Sequence, residues 1–131
     1  MDGGPGDDIL NVGRGNDALQ GGPGDDNISG GIGENYIDGG PGNDIIQSFG
    51  RSHVSGGSGD DLIFFTGPNN TIYFDAGDGN DRVTGFQNGN LIHFAESIAP
   101  EAFRLKKTLY GDLLITFSTS PEDSILLKAG E

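Results

Sequence analysis

Aspartates recur within residues 1–84 at one fixed place, immediately after a short glycine-rich turn. The turn reads Gly-Gly-x-Gly-x-Asp at residues 3–8, 21–26 and 39–44. Glycine allows positive φ and has no Cβ, so main-chain carbonyl oxygens can converge around such a turn, and the aspartate adds a carboxylate oxygen. Ligands that are all oxygen favour a hard cation with flexible coordination. The residue types therefore predict a site for Ca²⁺ ahead of Mg²⁺, and well ahead of Zn²⁺.

The turns belong to an internal repeat of nine residues. Residues 3–84 fall into nine recognisable rows, with one shortened row and two extra residues, Phe74 and Asp75, before the last row. The rows are GGPGDDILN from Gly3, VGRGNDALQ from Val12, GGPGDDNIS from Gly21, GGIGENYID from Gly30, GGPGNDIIQ from Gly39, SFGRSHVS from Ser48, GGSGDDLIF from Gly56, FTGPNNTIY from Phe65 and AGDGNDRVT from Ala76. So regular a period argues against the alternative of a flexible acidic linker, which has no reason to keep one.

The eighth column of the repeat always holds a large aliphatic residue. Its members are Leu10, Leu19, Ile28, Ile37, Ile46, Val54, Ile63, Ile72 and Val83. One such side chain per row cannot form the apolar face of a helix, whereas six turn-forming residues followed by three strand-like residues predict a short strand after each turn. Two rows would complete one coil of a flattened solenoid, with coils about 4.8 Å apart and the aliphatic column stacked into a thin core.

The negative charge of the chain makes a bound cation necessary to this prediction. The formal net charge is -13, hydrophobic residues make up 33% of the chain, and residues 1–84 hold fourteen acids against three bases. A chain of this composition stays disordered unless its charge is neutralised. Aspartates stacked about 4.8 Å apart would repel one another strongly without an ion between them. We therefore expect the ions to lie between successive turns.

Composition also excludes several classes of partner and site. Lysine and arginine total only seven, which is too few for the basic patch that nucleic-acid binding requires. The absence of cysteine excludes disulfides and thiolate metal sites. No apolar run is long enough to span a bilayer, and no signal-peptide pattern follows Met1.

The pattern G-G-x-G-x-D-x-U-x resembles the nonapeptide of the repeats-in-toxin (RTX), or haemolysin-type, calcium-binding proteins. The resemblance implies an all-β fold, a right-handed parallel β-roll. It also implies that each ion lies between turns two rows apart. The carbonyls at positions 2 and 4 and the aspartate of one turn would bind it, together with the carbonyls at positions 1 and 3 and the aspartate of the next.

Transferred to this chain, the family rule implies four ion sites between the odd rows. The ligand sets are Gly4, Gly6 and Asp8 with Gly21, Pro23 and Asp26; Gly22, Gly24 and Asp26 with Gly39, Pro41 and Asp44; Gly40, Gly42 and Asp44 with Gly56, Ser58 and Asp61; and Gly57, Gly59 and Asp61 with Ala76, Asp78 and Asp81. The two extra residues before Ala76 interrupt the pattern at the fourth site.

The even rows lose their acidic residue along the chain, from Asp17 to Asn35, Ser52 and Asn70. We expect one ion between their first two turns and few or none beyond, which makes about four to five Ca²⁺ in all. The ligands of that even site would be Gly13, Gly15 and Asp17 with Gly30, Ile32 and Asn35.

Other residues that could carry chemistry have simpler explanations. Adjacent carboxylates such as Asp60 and Asp61 can perform glycosidase chemistry, but here the doublet recurs with the repeat, as one calcium ligand and one solvated neighbour. His53 and His93 are the only histidines, and solvated or core positions explain them better than a catalytic or zinc-binding role. The sequence therefore predicts no catalytic site.

Residues 85–131 have a different composition and are predicted to form a separate cap, with the boundary between 1–84 and 85–131. Four short apolar runs are separated by turn signals: 91–94, 103–105, 113–117 and 125–127. We expect a small antiparallel set of strands, with one helical turn near 100–103, covering the end of the roll. The segment resembles the region that follows many haemolysin-type repeats.

The function predicted is folding switched by Ca²⁺, since binding free energy becomes folding free energy when no site exists in the unfolded chain. Extracellular calcium modules work at roughly 0.1 to 1 mM, so the chain would fold only outside the cell. The resemblance implies a secreted, toxin-related protein of a Gram-negative bacterium, exported unfolded by type I secretion machinery.

The main alternative is a module that binds a polysaccharide or a cell surface for an attached enzyme or adhesin. Aromatic residues can mark such a patch, but we expect them to be buried under the following segment instead. The residues concerned are Phe64, Phe65, Tyr73 and Phe74. A catalytic domain is the third reading and has no motif to support it.

Overall fold

The computed structural model describes residues 1–87, 89–96, 98, 102–107, 112–118 and 121–128. These residues form thirteen short strands and no α-helix. The strands are β1 (Ile9–Asn11), β2 (Ala18–Gln20), β3 (Asn27–Ser29), β4 (Asn35–Asp38), β5 (Ile45–Ser48), β6 (Ser52–Ser55), β7 (Leu62–Phe65), β8 (Thr71–Phe74), β9 (Asn80–Thr84), β10 (Leu91–Phe94), β11 (Phe103–Lys107), β12 (Leu113–Phe117) and β13 (Ser124–Leu127).

The strands of successive rows alternate between two parallel sheets. Strands β1, β3, β5, β7 and β9 follow one another in an eight-stranded sheet, and β2, β4, β6, β8 and β10 form a five-stranded sheet. The register aligns the repeat column by column, since Leu10 pairs with Ile28 and Ile28 with Ile46. Two rows therefore make one coil, and the predicted all-β parallel solenoid is confirmed.

The core is the narrow space between the two sheets. All nine eighth-column side chains are exposed by 3% or less, as the repeat predicts. Phe65 and Phe74 are also buried, whereas Phe64 and Tyr73 are each 38% exposed. The prediction that all four aromatic residues are buried is therefore wrong for two of them. Side chains point alternately inward and outward along β7 and β8, and the third residue of each strand faces outward.

The roll continues beyond its ninth row. Strand β10 pairs in parallel with β8, and Ile92 aligns with Ile72 in the eighth column. Residues 85–93 are thus a tenth row, with Asn90 in the sixth column. The sequence did not predict this row, because the glycine and acidic content that marks the repeat falls after residue 84.

The remaining strands close the eight-stranded sheet. Strands β11, β12 and β13 are antiparallel to one another, as expected, but β13 pairs in parallel with β9. Their buried side chains, among them Phe117 and Ile125, join the same core as the eighth column. The antiparallel prediction is therefore wrong for β10, which belongs to the roll. The helical turn expected near 100–103 falls largely outside the described residues, and the proposed boundary near Gly85 stays a prediction.

Candidate metal centres

Main-chain hydrogen bonds hold the odd-row turns one above another. The position 2 amide of Gly22 donates to the position 1 carbonyl of Gly39 at 3.0 Å, and the position 4 amide of Gly24 donates to the position 3 carbonyl of Pro41 at 2.9 Å. The turn of the next odd row repeats this bond, since the amide of Gly40 donates to the carbonyl of Gly56 at 3.1 Å. The stacking brings each predicted ligand residue beside its counterpart in the next row.

The sixth-column aspartates form a ladder along the same edge, which uses only one oxygen of each carboxylate. The Oδ1 atom of Asp26 accepts the main-chain N–H of Asp8 at 2.8 Å, and Oδ1 of Asp44 accepts the N–H of Asp26 at 2.8 Å. Asp61 and Asp81 continue the ladder at 2.8 and 3.1 Å. The second oxygen of each carboxylate is left to point toward the turn.

Those second oxygens are the unusual feature of this edge. Among the described residues, the only buried side-chain nitrogen or oxygen atoms without a hydrogen-bond partner are the Oδ2 atoms of Asp8, Asp26, Asp44 and Asp61. A buried anionic oxygen without a partner is costly, and native proteins rarely tolerate it. Four such atoms in equivalent places indicate a missing partner of positive charge.

Main-chain oxygens converge on the same places. A Cβ on Gly21 would lie 2.3 Å from Oδ2 of Asp26 and 2.5 Å from the carbonyl oxygen of Gly39. A Cβ on Gly39 would meet Asp44 Oδ2 at 2.3 Å and the Gly56 carbonyl at 2.4 Å. At Asp8, Asp26 and Asp44, the carboxylate oxygen therefore shares its pocket with the carbonyl of the next odd turn, and only glycine leaves that pocket open. This donor set fits Ca²⁺.

Burial changes the titration of these aspartates. It raises the pKa of Asp61 to about 7, with a smaller contribution from the charge of Asp44. It raises the pKa of Asp81 to about 9, and the charge of Asp61 adds to the effect. The pKa of Asp44 rises to about 6 for the same principal reason. Burial therefore favours the protonated form of these three carboxyl groups when no cation is bound, most strongly at Asp81.

The aspartates of this edge form a ladder and do not gather in threes around one point. In the described part of the chain, no three His, Cys, Asp or Glu residues come together as a metal site. Each turn contributes one carboxylate, and the other candidate ligands are main-chain carbonyls. Carbonyl-rich coordination suits Ca²⁺ and does not suit Zn²⁺, which takes nitrogen and sulfur ligands.

The comparison with known families supports the same assignment. The family model described as "RTX calcium-binding nonapeptide repeat (4 copies)" matches residues 1–19, 12–46 and 48–72, which is more than half of the chain. The chain belongs to this family. Its RTX repeats are calcium-binding repeats, and the stacked odd-row turns are where the ions are expected.

A solved structure is similar to the RTX roll. It is the crystal structure of the extracellular lipase LipA from Serratia marcescens, with a TM-score of 0.44 and 17% sequence identity. The alignment covers 96% of this chain and 37% of the lipase chain. No curated protein matches the chain. None of its described residues forms a helix long and apolar enough to cross a membrane.

The fifth column of the RTX rows has a role that the sequence analysis missed. These residues were assigned to solvent, but Oδ1 of Asp7 accepts the N–H of Asp25 at 2.8 Å, and Oδ1 of Asp25 accepts the N–H of Asn43 at 2.8 Å. Asn43 and Asp60 extend this outer ladder at 2.9 and 3.0 Å. The detectable signal was that every odd row has Asp or Asn in this column.

The two histidines lie on the outer face of the five-stranded sheet. The rings of Tyr36 and His53 are stacked with centroids 4.7 Å apart, and His53 Nδ1 lies 3.0 Å from the Tyr73 hydroxyl. The rings of Tyr73 and His93 are 5.1 Å apart. The histidines therefore belong to a row of aromatic rings on the surface of the roll.

The even edge differs from the odd edge at the sixth column. The Gly30 carbonyl, a predicted ligand of the even site, accepts a hydrogen bond from the side-chain amide of Asn35. The N–H of Asp17 donates to Oδ1 of the same asparagine at 2.9 Å. The neutral amide thus joins the two turns directly.

Proposed function

We propose that this chain is an extracellular RTX module that folds when Ca²⁺ binds between its odd-row turns, and that it supports the secretion and stability of a larger secreted protein. The observation that carries the proposal is the set of four buried Oδ2 atoms without partners, on Asp8, Asp26, Asp44 and Asp61. When bound, Ca²⁺ supplies the positive charge that these oxygens lack. The module itself performs no catalysis.

The proposed ligands are the four odd-row sets that the family rule implies. Each pairs the position 2 and 4 carbonyls of one turn with the position 1 and 3 carbonyls of the next. The stacked turns support this pairing, since the amide of Gly24 donates to Pro41 and that of Gly42 donates to Ser58. At the fourth site, the amide of Gly59 donates to the Asp78 carbonyl at 3.2 Å, so the stacking at position 3 persists across the two extra residues.

The coupling of binding to folding follows from the charge of the chain. Without a cation, the aspartate ladder places acidic groups in a buried row, and the net charge of -13 opposes compaction. The eighth column contributes only one core side chain per row, so apolar burial alone offsets little of this charge repulsion. Cytosolic free calcium is far below the roughly 0.1 to 1 mM range of extracellular modules, so the chain would remain unfolded until export.

The first test compares the metal-free chain with the chain in millimolar Ca²⁺. We expect a coil-like circular dichroism spectrum after chelation and a β-rich one with calcium, while calorimetric titration counts the bound ions. Equal β content in both conditions would remove the folding switch from the proposal.

A matched pair of variants tests the ligand assignment. Asp26→Asn keeps Oδ1 for the N–H of Asp8 and places an NH₂ group where Oδ2 was, so we expect the loss of one or two ions. Asp25→Asn removes the same charge from the adjacent residue, and its Oδ1 can still accept the N–H of Asn43. We expect an unchanged ion count for this control. Equal counts for both variants would contradict the assignment.

A second candidate function is the binding of a neutral polysaccharide, favoured by the exposed ring row of Tyr36, His53, Tyr73 and His93. A groove of about 560 Å³ is lined by the first three of these rings and by Asp38. Aromatic rings next to polar groups are typical of sugar recognition, and the acidic lining disfavours polyanions. Calcium-saturated protein that binds no neutral glycan on an array would rule this candidate out.

A further inference from the structure

We propose that the even edge of the roll binds no calcium, because side-chain amide and hydroxyl groups occupy the places that ions take on the odd edge. This inference rests on the proposed calcium function. It adds that the ions bind along the odd edge only. The residues that carry it are the sixth-column residues of the even rows: Asn35, Ser52, Asn70 and Asn90.

Asn35 shows how an amide replaces an ion. It is fully buried. Its Oδ1 accepts the N–H of Asp17, which is the bond that Oδ1 makes in the odd-row aspartates from Asp26 onward. The other terminal atom must then be Nδ2, and it donates to the carbonyl of Gly30. The atom that lacks a partner in the aspartates is therefore a satisfied donor in the asparagine.

The same arrangement recurs in the next two asparagines. Oδ1 of Asn70 accepts the N–H of Ser52 at 2.9 Å, and Nδ2 donates to the carbonyl of Gly67 at 3.0 Å. Oδ1 of Asn90 accepts the N–H of Asn70 at 2.8 Å, and its Nδ2 donates to the carbonyl of Gly85 at 3.4 Å. Each amide thus bridges two rows and binds a carbonyl of its own turn.

The shortened row solves the same problem with two hydroxyl groups. The Ser52 side chain is too short to reach the turn as an amide does. The hydroxyl of Ser48 donates to that of Ser52 at 2.7 Å and lies 3.4 Å from the carbonyl oxygen of Gly50. Both serines are buried, with 1% of their surface exposed. The internal donor is therefore present in this turn as well.

The two edges differ in charge and in whether their buried polar atoms have hydrogen-bond partners. In the described residues, every buried side-chain nitrogen or oxygen atom without a hydrogen-bond partner belongs to an odd-row aspartate. On the even edge, an ion would have to displace an NH₂ group from its carbonyl and would gain only neutral ligands beyond Asp17. Calcium affinity in proteins depends strongly on the number of charged ligands. The even turns therefore favour the hydrogen-bonded state.

Two consequences follow for calcium loading. The even site expected between Asp17 and Asn35 is withdrawn, because the amide already holds its Gly30 carbonyl. The saturated chain then holds four ions, one for each unpartnered Oδ2 atom. The even edge needs no ion to form, so calcium acts on one edge and the other edge closes by hydrogen bonding.

Counting bound Ca²⁺ by native mass spectrometry tests this inference. We expect four ions on the saturated wild-type chain and four on Asn70→Ser, which keeps a short polar group like that of Ser52. The same variant should melt several degrees lower, because the Gly67 carbonyl loses its donor. Asp44→Ser, the matched change on the odd edge, should lose at least one ion.

The outcomes separate this inference from the proposed function. More than four ions on the wild-type chain, or fewer ions on Asn70→Ser than on the wild type, would overturn the inference alone. A wild-type chain that binds no calcium would overturn the proposed function. If Asn70→Ser does not fold, Asn90→Ser at the last rung of the even ladder provides the same comparison.

Discussion

The sixth-column side chain decides what each turn of the roll can hold. Aspartate and asparagine have nearly the same shape, and both use Oδ1 to accept a main-chain N–H from the turn two rows earlier, as Asp44 and Asn35 do. They differ at the second terminal atom, which is an anionic acceptor in one and a neutral donor in the other. One atom therefore separates the turns proposed to bind a cation from the turns whose side-chain atoms already have hydrogen-bond partners.

Protonation of Asp61 and Asp81 makes the metal-free roll sensitive to pH. Burial raises their pKa values to about 7 and about 9, above those of the unfolded chain, so the folded state binds protons more tightly. The stability that this supplies is complete below about pH 4 and is lost as pH rises toward 9. We expect the metal-free chain to regain β content in acid, and circular dichroism should show that content falling to the coil-like level as pH rises over that range.

The calcium-loaded chain should respond to pH in the opposite direction, since ligands must lose their protons to bind a metal. The calcium midpoint for folding should therefore be lower at pH 8 than at pH 6. Asp61→Asn should flatten the pH dependence of the metal-free chain, while Asp60→Asn, which removes the same charge beside it, should not. Metal-free β content that rises with pH would contradict this prediction.

Glycine meets two requirements of the turn, a positive φ and the close approach of the neighbouring coil. The close approach is the stricter requirement. Gly40 has a φ of 101°. A Cβ there would also lie 2.6 Å from the carbonyl oxygen of Gly22 in the row below. Gly4 occupies the same column with a φ of 86°, but a Cβ on it would meet nothing within 4 Å. The two glycines therefore separate backbone conformation from close packing between coils.

Replacing each of these glycines with alanine should give different losses. Gly4→Ala should cost about 1 to 2 kcal/mol, because only the left-handed conformation is disfavoured. Gly40→Ala should cost about 3 kcal/mol or more, since the coils must also move apart. Thermal unfolding in saturating calcium measures both. Equal losses would show that coil stacking adds nothing to the conformational requirement.

At the scale of the whole molecule, the last odd turn is closed by a residue from far along the chain. The amides of Gly77 and Gly79 have no further odd row to donate to, since the tenth row lies on the even edge. They donate instead to Oδ2 and Oδ1 of Asp123, at 2.7 and 2.9 Å. This carboxylate supplies the two acceptors that position 1 and 3 carbonyls supply elsewhere, and it is 2% exposed. Asp123 therefore joins β13 to the end of the roll.

Asp123→Ala should weaken this closure, because two buried amides lose charge-assisted hydrogen bonds. We expect a loss of about 2 to 4 kcal/mol in calcium. Faster amide hydrogen exchange in 124–127 should accompany it. Glu122→Ala changes the exposed neighbour and should leave both quantities unchanged. Unaltered exchange in Asp123→Ala would show that the side chain does not hold β13 in place.

The features that repeat along the chain were determined by the sequence alone. The nine-residue period predicts the coil, the eighth-column core and the alternation of two sheets, because identical rows can stack only in column register. The family pattern in turn implies the ligand columns of the odd edge. Each of these follows from local residue types that recur often enough to outweigh any single exception, such as the shortened row at Ser48.

The features that do not repeat were decided by the tertiary structure. The parallel pairing of β13, the closure by Asp123 and the direction of the Asn35 amide each depend on a partner outside the local pattern. Gly79 and Asp123 are 44 residues apart, and no period links them. The sequence does not determine which way the Asn35 amide faces. In the structure its orientation is set by the N–H of Asp17, which donates to Oδ1. Such choices depend on which long-range partner a polar atom finds, and only the folded chain supplies that partner.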